Sequence, residues 1–160
     1  DCSLKELQKI KGIGKAKAMQ ILAMAELSKR HSQAKNPIKK ITSAKDVFNL
    51  FHERLRNQKQ ENFIILMLNS KNHIIGEKLI TKGILDASLI HPREIFKEAI
   101  KNSASKIILI HNHPSGDSKP SQEDIDVTKS IISAGESIGI SVLDHVIVGD
   151  ENYWNWRESR

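Results

Sequence analysis

Cysteine is almost absent from this chain of 160 residues, and the single one, Cys2, stands near its start. One cysteine excludes a framework of disulfide bonds within the chain, so the cysteine pattern does not indicate an oxidising compartment. Long apolar runs are also missing, since none approaches the roughly 20 residues that cross a bilayer. We therefore expect a cytoplasmic protein without a membrane segment.

The first residues, DCSLKEL, contain neither a methionine nor the charged and then apolar pattern of a secretory leader. We expect the sequence to be part of a longer protein. Its hydrophobic content of 39% is ordinary for a soluble globular chain and is enough for one good core with a small second unit.

Positive charge is concentrated in the first part of the chain. Residues 1–60 hold fourteen Lys or Arg against five Asp or Glu, whereas residues 61–160 hold eleven against fourteen. The net charge of +6 therefore comes entirely from the first part. This asymmetry indicates two units with different partners.

Residues 1–34 form the first predicted unit, with two short amphipathic helices joined by the sequence GIG. Helical spacing marks one apolar face on each helix. These faces contain Leu4, Leu7 and Ile10 in the first helix, and Ala18, Ile21, Leu22 and Ala25 in the second. The two glycines supply the permissive backbone of a tight hairpin.

This segment resembles the helix-hairpin-helix module, in which backbone amides meet a nucleic-acid phosphate without reading the base sequence. The resemblance implies DNA contact through Lys11, Gly12, Gly14 and Lys15. Two plainer interpretations stay open: the lysines only solvate a helical hairpin, or the hairpin docks against protein.

Residues 35–60 are predicted to contain a linker that runs through Pro37, followed by one helix. Thr42 or Ser43 can cap this helix. Its apolar positions are Val47, Phe48, Leu50, Phe51 and Leu55.

From residue 61 the pattern changes to strands that alternate with helices, which predicts an α/β sheet with helices packed on it. Two apolar runs separated by NSKN predict a β-hairpin. A helix beginning near Pro92, the short buried strand KIILI, a second helix from residue 121 and the strand SVLDHVIV follow.

Two histidines stand where the strand KIILI ends. Residues i and i+2 of an extended segment point the same way, so His111 and His113 can face one metal ion. Asp124, in the first turn of the next helix, can reach the same point. Two imidazoles and one carboxylate leave a tetrahedral position open for water, as in a catalytic zinc site.

Each of these residues also has a structural interpretation. Ser121 and Asp124 have the spacing of a capping box, and the histidines alone are compatible with a polar strand end. Their joint occurrence favours the metal site. His145 beside Asp144 can support such a site from behind or be only structural.

The run H-x-H-P followed by S-x-x-D resembles the JAMM (MPN) metalloprotease signature, and the segments ENFIILMLNSKN, HPREIFKEAI and LDHVIVG resemble the bacterial RadC family. This resemblance implies a JAMM/MPN (cytidine deaminase-like) fold over residues 61–160, a mixed sheet flanked by helices, preceded by a helix-hairpin-helix. It also implies that His111, His113 and Asp124 bind Zn²⁺ and that Ser121 steadies the oxyanion.

A JAMM site further implies a glutamate that takes a proton from the zinc-bound water. Glu61 occupies the matching position, while Glu77 and Glu94 stay open as alternatives. The function implied is a metallopeptidase acting on a peptide or isopeptide bond, with the DNA-repair label of the family. The alternatives are a phosphodiester-cleaving enzyme, which would favour more carboxylates around hard ions, or a non-catalytic module that binds DNA. The sequence does not indicate the oligomeric state.

Overall fold

The computed structural model describes residues 3–34, 40–83 and 90–159. Cys2 and residues 35–39, which include the predicted linker through Pro37, lie outside the described residues. Contacts divide the chain into two units, Asp1–Pro37 and Ile38–Arg160. Within the described ranges, no helix combines the length and the apolar character that crossing a membrane requires.

The first unit contains helix α1, Leu4–Leu7, and helix α2, Lys15–Ala34. Ser3 caps α1 through a capping box, and Gly12 takes the positive φ of 89° that the connection needs. The unit differs from the two short helices that we expected, because α1 has one turn and α2 has 20 residues.

The predicted apolar faces of this unit are only partly buried. Leu7 and Ala18 are buried, whereas Ile10 and Ile21 are exposed. Since α1 ends at Leu7, its face cannot extend to Ile10. The structure therefore contains two helices at the expected place, and their assignment to a helix-hairpin-helix stays a prediction.

The second unit alternates strands and helices, as predicted. The elements are α3 (Ala44–Leu55), β1 (Glu61–Leu68), β2 (Ile74–Gly83), α4 (Pro92–Lys101), β3 (Lys106–Asn112), α5 (Gln122–Ile138), β4 (Ser141–Val148) and β5 (Tyr153–Asn155). The five strands form one sheet in the order β2-β1-β3-β4-β5. Only β3 and β4 pair in parallel, and the other neighbours are antiparallel. The predicted class, a mixed sheet flanked by helices, is confirmed.

Side chains alternate between the two faces of the sheet, and each face has its own core. Helix α3 covers one face, where Val47 and Phe51 pack against Ile110. Helices α4 and α5 cover the other, where Ile95 and Ile131 pack in the core that contains Leu109. Leu109 and His111 share this second face, so the strand directs the His111 side chain towards α5.

Candidate metal centre

The end of β3 places two imidazoles on the α5 side of the sheet. His111 is fully buried and His113 is 14% exposed, and their Nε2 atoms lie 2.9 Å apart. The intervening Asn112 points to the opposite face, as strand alternation requires. The structure thus brings together the two histidines of the H-x-H pattern.

The start of α5 supplies the carboxylate. Ser121 caps the helix by accepting a bond from the Asp124 amide, and the Asp124 side chain accepts one from the Ser121 amide. This capping box holds Asp124, which is 3% exposed, against the histidines. Its Oδ1 lies 3.2 Å from His111 Nε2, and its Oδ2 lies 3.4 Å from His113 Nε2.

This ligand set fits a metal ion. One ligand atom from each of His111, His113 and Asp124 lies within 4.8 Å of the other two. Each imidazole directs its Nε2 at the shared point because its Nδ1 is engaged elsewhere. Two nitrogen donors and one carboxylate suit Zn²⁺ better than the harder ions Mg²⁺ and Ca²⁺.

Electrostatics distinguish the three side chains. Burial lowers the pKa of the His111 imidazole, whereas the hydrogen bond to Asp124 raises the pKa of His113. Burial by itself would raise the pKa of the Asp124 carboxyl, but its interactions with the two adjacent imidazoles hold this pKa well below its usual range. Asp124 therefore stays ionised at neutral pH, as a metal ligand must.

The loop after β3 orients His113. The Nδ1–H of this residue donates to the Asp117 carbonyl at 2.7 Å, and the Gly116 amide returns a bond to the His113 carbonyl. Gly116 has a φ of +80°, and a Cβ there would lie 2.3 Å from the Asp150 carboxylate. The Asp150 amide also donates to the Gly116 carbonyl, so the β4–β5 turn supports this loop.

Behind His111 lies His145 of β4, which the structure places within hydrogen-bond distance at 2.8 Å between Nδ1 and Nε2. His145 Nδ1 in turn lies 2.6 Å from the Thr128 hydroxyl. Asp144 points to the other face, where Asn155 and the Arg157 amide hydrogen-bond to it. Only the histidine of the Asp-His pair therefore touches the site.

Sequence reasoning missed Thr128. Its position, four residues after Asp124, places both side chains on the same buried face of α5. A polar residue at that spacing, among the apolar positions Val127 and Ile131 of the same helix, is the sequence signal that could have identified it.

The antiparallel pairing of β1 with β3 positions Glu61 on the same side of the sheet as His111. Phe63 pairs with His111, so Glu61, two residues earlier, lies just beyond the end of β3. The side chain of Asn112 accepts bonds from the backbone and side chain of Asn62, which ties the strand ends together. Glu61 lines a cleft of about 580 Å³ with His113, Ser121 and Asp124.

The two alternative glutamates lie elsewhere. Glu77 forms a two-bond ion pair with Arg54, and Glu94 lies on α4 near Arg93 and Lys97. Neither is among the residues that line the cleft. Of the three candidates, Glu61 is the one that the fold brings to the histidines.

The hydroxyl of Ser121 is committed to the helix cap in this structure. It donates to Asp124 Oδ2 at 2.7 Å and accepts from the Asp124 amide. An interaction with a substrate oxygen therefore requires the first of these bonds to break.

Of the predicted nucleic-acid contacts, Lys11, Gly12 and Gly14 lie between α1 and α2, and Lys15 begins α2. All four residues are exposed. The Lys17 ammonium donates to the Gly12 carbonyl at 3.2 Å and supports the connection.

A mixed sheet whose central strand ends in two histidines facing a helix-capping aspartate defines a JAB-type domain with a cluster that can hold a metal ion. The sequence comparisons agree: the RadC-like JAB domain family matches residues 41–160. The chain belongs to this family.

Relatives match nearly the whole chain. The UPF0758 protein of Alkaliphilus oremlandii is 52% identical over 161 residues, which cover 100% of this chain and 69% of that protein. The UPF0758 protein of Chlorobaculum parvum is 51% identical over 99% of this chain and 71% of its own length. The UPF0758 protein of Methanosarcina mazei is 47% identical over 94% of this chain and 66% of its own length. The chain thus spans about two thirds of these proteins.

Proposed function

We propose that this domain is a zinc-dependent hydrolase of JAMM type that cleaves a peptide or isopeptide bond. The observation that carries the proposal is the convergence of two imidazoles and one ionised carboxylate on one point, beside a cleft that Glu61 lines together with His113 and Asp124. The RadC-like JAB domain assignment supports the same class of site.

His111, His113 and Asp124 would hold the zinc ion. When bound, zinc polarises a carbonyl group and lowers the pKa of water from 15.7 to about 7. The three protein ligands lie between the strand end and α5, while the cleft lies on the side of Glu61 and Ser121. The substrate carbonyl therefore enters from the cleft.

Glu61 acts as the general base and then as the general acid. Its carboxylate accepts a proton from the attacking water and delivers that proton to the leaving amine nitrogen as the carbon–nitrogen bond breaks. The tie between Asn62 and Asn112 fixes the backbone on which this carboxylate stands. General acid–base catalysis of this kind contributes about 10²- to 10⁴-fold in rate.

Ser121 donates a hydrogen bond from its hydroxyl to the developing oxyanion of the substrate and keeps its proton. To do so it exchanges its bond to Asp124 Oδ2 for one to the substrate oxygen. The amide of Ser121 also donates to Asp124 Oδ2, so the aspartate keeps one of its partners during this exchange.

The Glu61→Gln variant tests the proposal. We expect zinc content equal to that of the parent protein but peptide and isopeptide hydrolysis slower by about 10²- to 10⁴-fold, because the amide cannot carry the proton. Glu77→Gln is the matched control, since it makes the same change away from the cleft and should leave the rate unaltered.

The assay offers the zinc-loaded protein a mixed peptide library, lysine-linked isopeptides, and single- and double-stranded oligonucleotides, each with and without chelator. Mass spectrometry identifies the bond cut. Chelator-sensitive cleavage of oligonucleotides alone would overturn the proposal in favour of phosphodiester chemistry. No cleavage of any substrate would favour a binding module.

A DNA-linked role for the first unit is a separate proposal. Exposed Lys11 and Lys15 flank the glycines of the connection, which suits a contact with phosphate groups. The single cysteine supports a cytoplasmic location, and the resemblance to the RadC family supports a link to DNA repair.

A further inference from the structure

A chain of three hydrogen bonds runs behind the proposed metal ligands. It joins His111 Nδ1 to His145 Nε2 at 2.8 Å, His145 Nδ1 to the Thr128 hydroxyl at 2.6 Å, and that hydroxyl to the Asp124 carbonyl at 2.6 Å. His111, His145 and Thr128 are each 0% exposed. Bulk water therefore does not supply alternative partners for these groups.

The hydrogen bond between Thr128 and the Asp124 carbonyl fixes the donor and the acceptor in all three hydrogen bonds. A backbone carbonyl can only accept, so the single hydroxyl proton of Thr128 goes to Asp124. The hydroxyl oxygen must then accept from His145, and the proton in that bond belongs to His145 Nδ1.

His145 consequently presents a lone pair at Nε2. In a neutral imidazole with its proton on Nδ1, the other ring nitrogen can only accept a hydrogen bond. The lone pair accepts from His111, so His111 carries its proton on Nδ1. Its Nε2 is then free of hydrogen and faces Asp124 and His113.

The opposite direction is unfavourable at both ends. If His145 carried its proton on Nε2, the Thr128 proton would turn to Nδ1 of that ring. The Thr128 and Asp124 oxygens would then face each other at 2.6 Å with no proton between them. His111 would also be protonated on Nε2 and unable to bind a metal ion.

We infer that Thr128 and His145 are positioning residues that hold His111 in the tautomer able to bind the metal ion. The inference depends on the proposed metal site but not on the reaction catalysed there. For His113, a backbone carbonyl is enough to fix the tautomer, because a carbonyl can only accept and Nδ1 must therefore carry the proton. The partner of His111 is another imidazole, which could donate or accept, and Thr128 removes that ambiguity.

Thr128→Val tests the inference, because it keeps the shape of the side chain and removes the hydroxyl. We expect zinc affinity, measured by competition with a fluorescent chelator, to fall by about 10- to 100-fold, as for other groups that orient metal-ligating histidines. Thr128→Ser keeps the hydroxyl and should bind zinc within about threefold of the parent. Thermal unfolding of the metal-free variants separates these effects from loss of fold.

Nitrogen NMR of the metal-free parent protein supplies an independent readout. It should show the His111 and His145 rings protonated on Nδ1, and Thr128→Val should add the other tautomer. A parent His111 protonated on Nε2, or unaltered zinc affinity in folded Thr128→Val, would overturn the inference. If the parent shows the expected tautomers but binds no zinc, the proposed function fails and the hydrogen-bond chain stands.

Discussion

The two histidines of the site are held by different regions of the molecule. His111 ends a central strand, is fully buried and reaches Thr128 through another imidazole. His113 lies in the loop that follows, is 14% exposed and donates to a carbonyl of that same loop. One imidazole thus depends on side chains from β4 and α5, and the other depends on local backbone geometry. Side-chain substitutions should disturb the first, and backbone strain the second.

Removal of either histidine should have the largest effect on zinc binding. The two substitutions should differ in how far they lower the free energy of unfolding. His111→Ala and His113→Ala should both abolish stoichiometric zinc binding, measured by elemental analysis. In the metal-free state, His111→Ala should also lower the free energy of unfolding by about 2–4 kcal/mol, because it leaves a cavity and an unpaired buried His145.

His113→Ala should lower the free energy of unfolding of the metal-free protein by less than about 1 kcal/mol, because the His113 side chain lies at the edge of the cleft. Urea denaturation of the chelator-treated proteins measures both values. Equal destabilisation by the two substitutions would contradict the distinction between a ligand supported by the core and one supported by the loop.

Backbone strain in the loop should affect His113 alone. Gly116→Ala forces a side chain onto a φ of +80° and against Asp150, which should displace the loop and weaken zinc binding by about tenfold, the lower end of the effect of losing a supporting group. The tautomer of His111, followed by nitrogen NMR, should not change.

Gly139→Ala is the matched control, because Gly139 has a similar φ of +75° but open space where the new Cβ would lie. It lies at the far end of α5 and should leave zinc affinity unaltered. A comparable loss of zinc in both variants would show that general strain, rather than the loop, is responsible.

A change of pH should have the smallest effect of these tests on the stability of the metal-free protein. The pKa of His113 is raised and that of His111 is lowered, so ring NMR signals should titrate above and below about 6.5 respectively. His113 then stabilises the fold below its unfolded pKa, and this contribution is lost as the pH rises through its folded pKa. His111 destabilises the fold as the pH falls below about 6.5, because the unfolded chain takes up its proton first.

Urea midpoints measured between pH 8 and pH 5 check these signs. His113→Asn should lose stability more steeply on acidification than the parent, since it lacks the favourable contribution. If both rings titrated on the same side of the ordinary histidine value, the proposed electrostatic difference between them would be wrong.

Local patterns were enough to predict the elements of the second unit from α3 to β4. The alternation of strands and helices and the capping box at Ser121 depend on neighbouring residues alone. The mixed sheet was predicted as well, through the resemblance to a known family. The N-terminal faces were less predictable, since Ile10 and Ile21 have helical spacing but are exposed.

The surroundings of the site depend on register between distant strands, which the sequence does not display. His145 reaches His111 because β3 and β4 pair in parallel with Leu109 opposite His145. Likewise, the position of Glu61 near the histidines, with Glu77 elsewhere, follows from the pairing of Phe63 with His111. Charge and spacing alone left those glutamates equivalent.

The capping box at the start of α5 gives Ser121 and Asp124 a structural role that does not depend on any chemistry. Ser121 and Asp124 begin a helix that completes the core, so a copy that had lost its chemistry would still be selected to keep both residues. Glu61 begins no helix. Under the proposed function, a change at Glu61 among related sequences is therefore the better mark of a domain without catalysis.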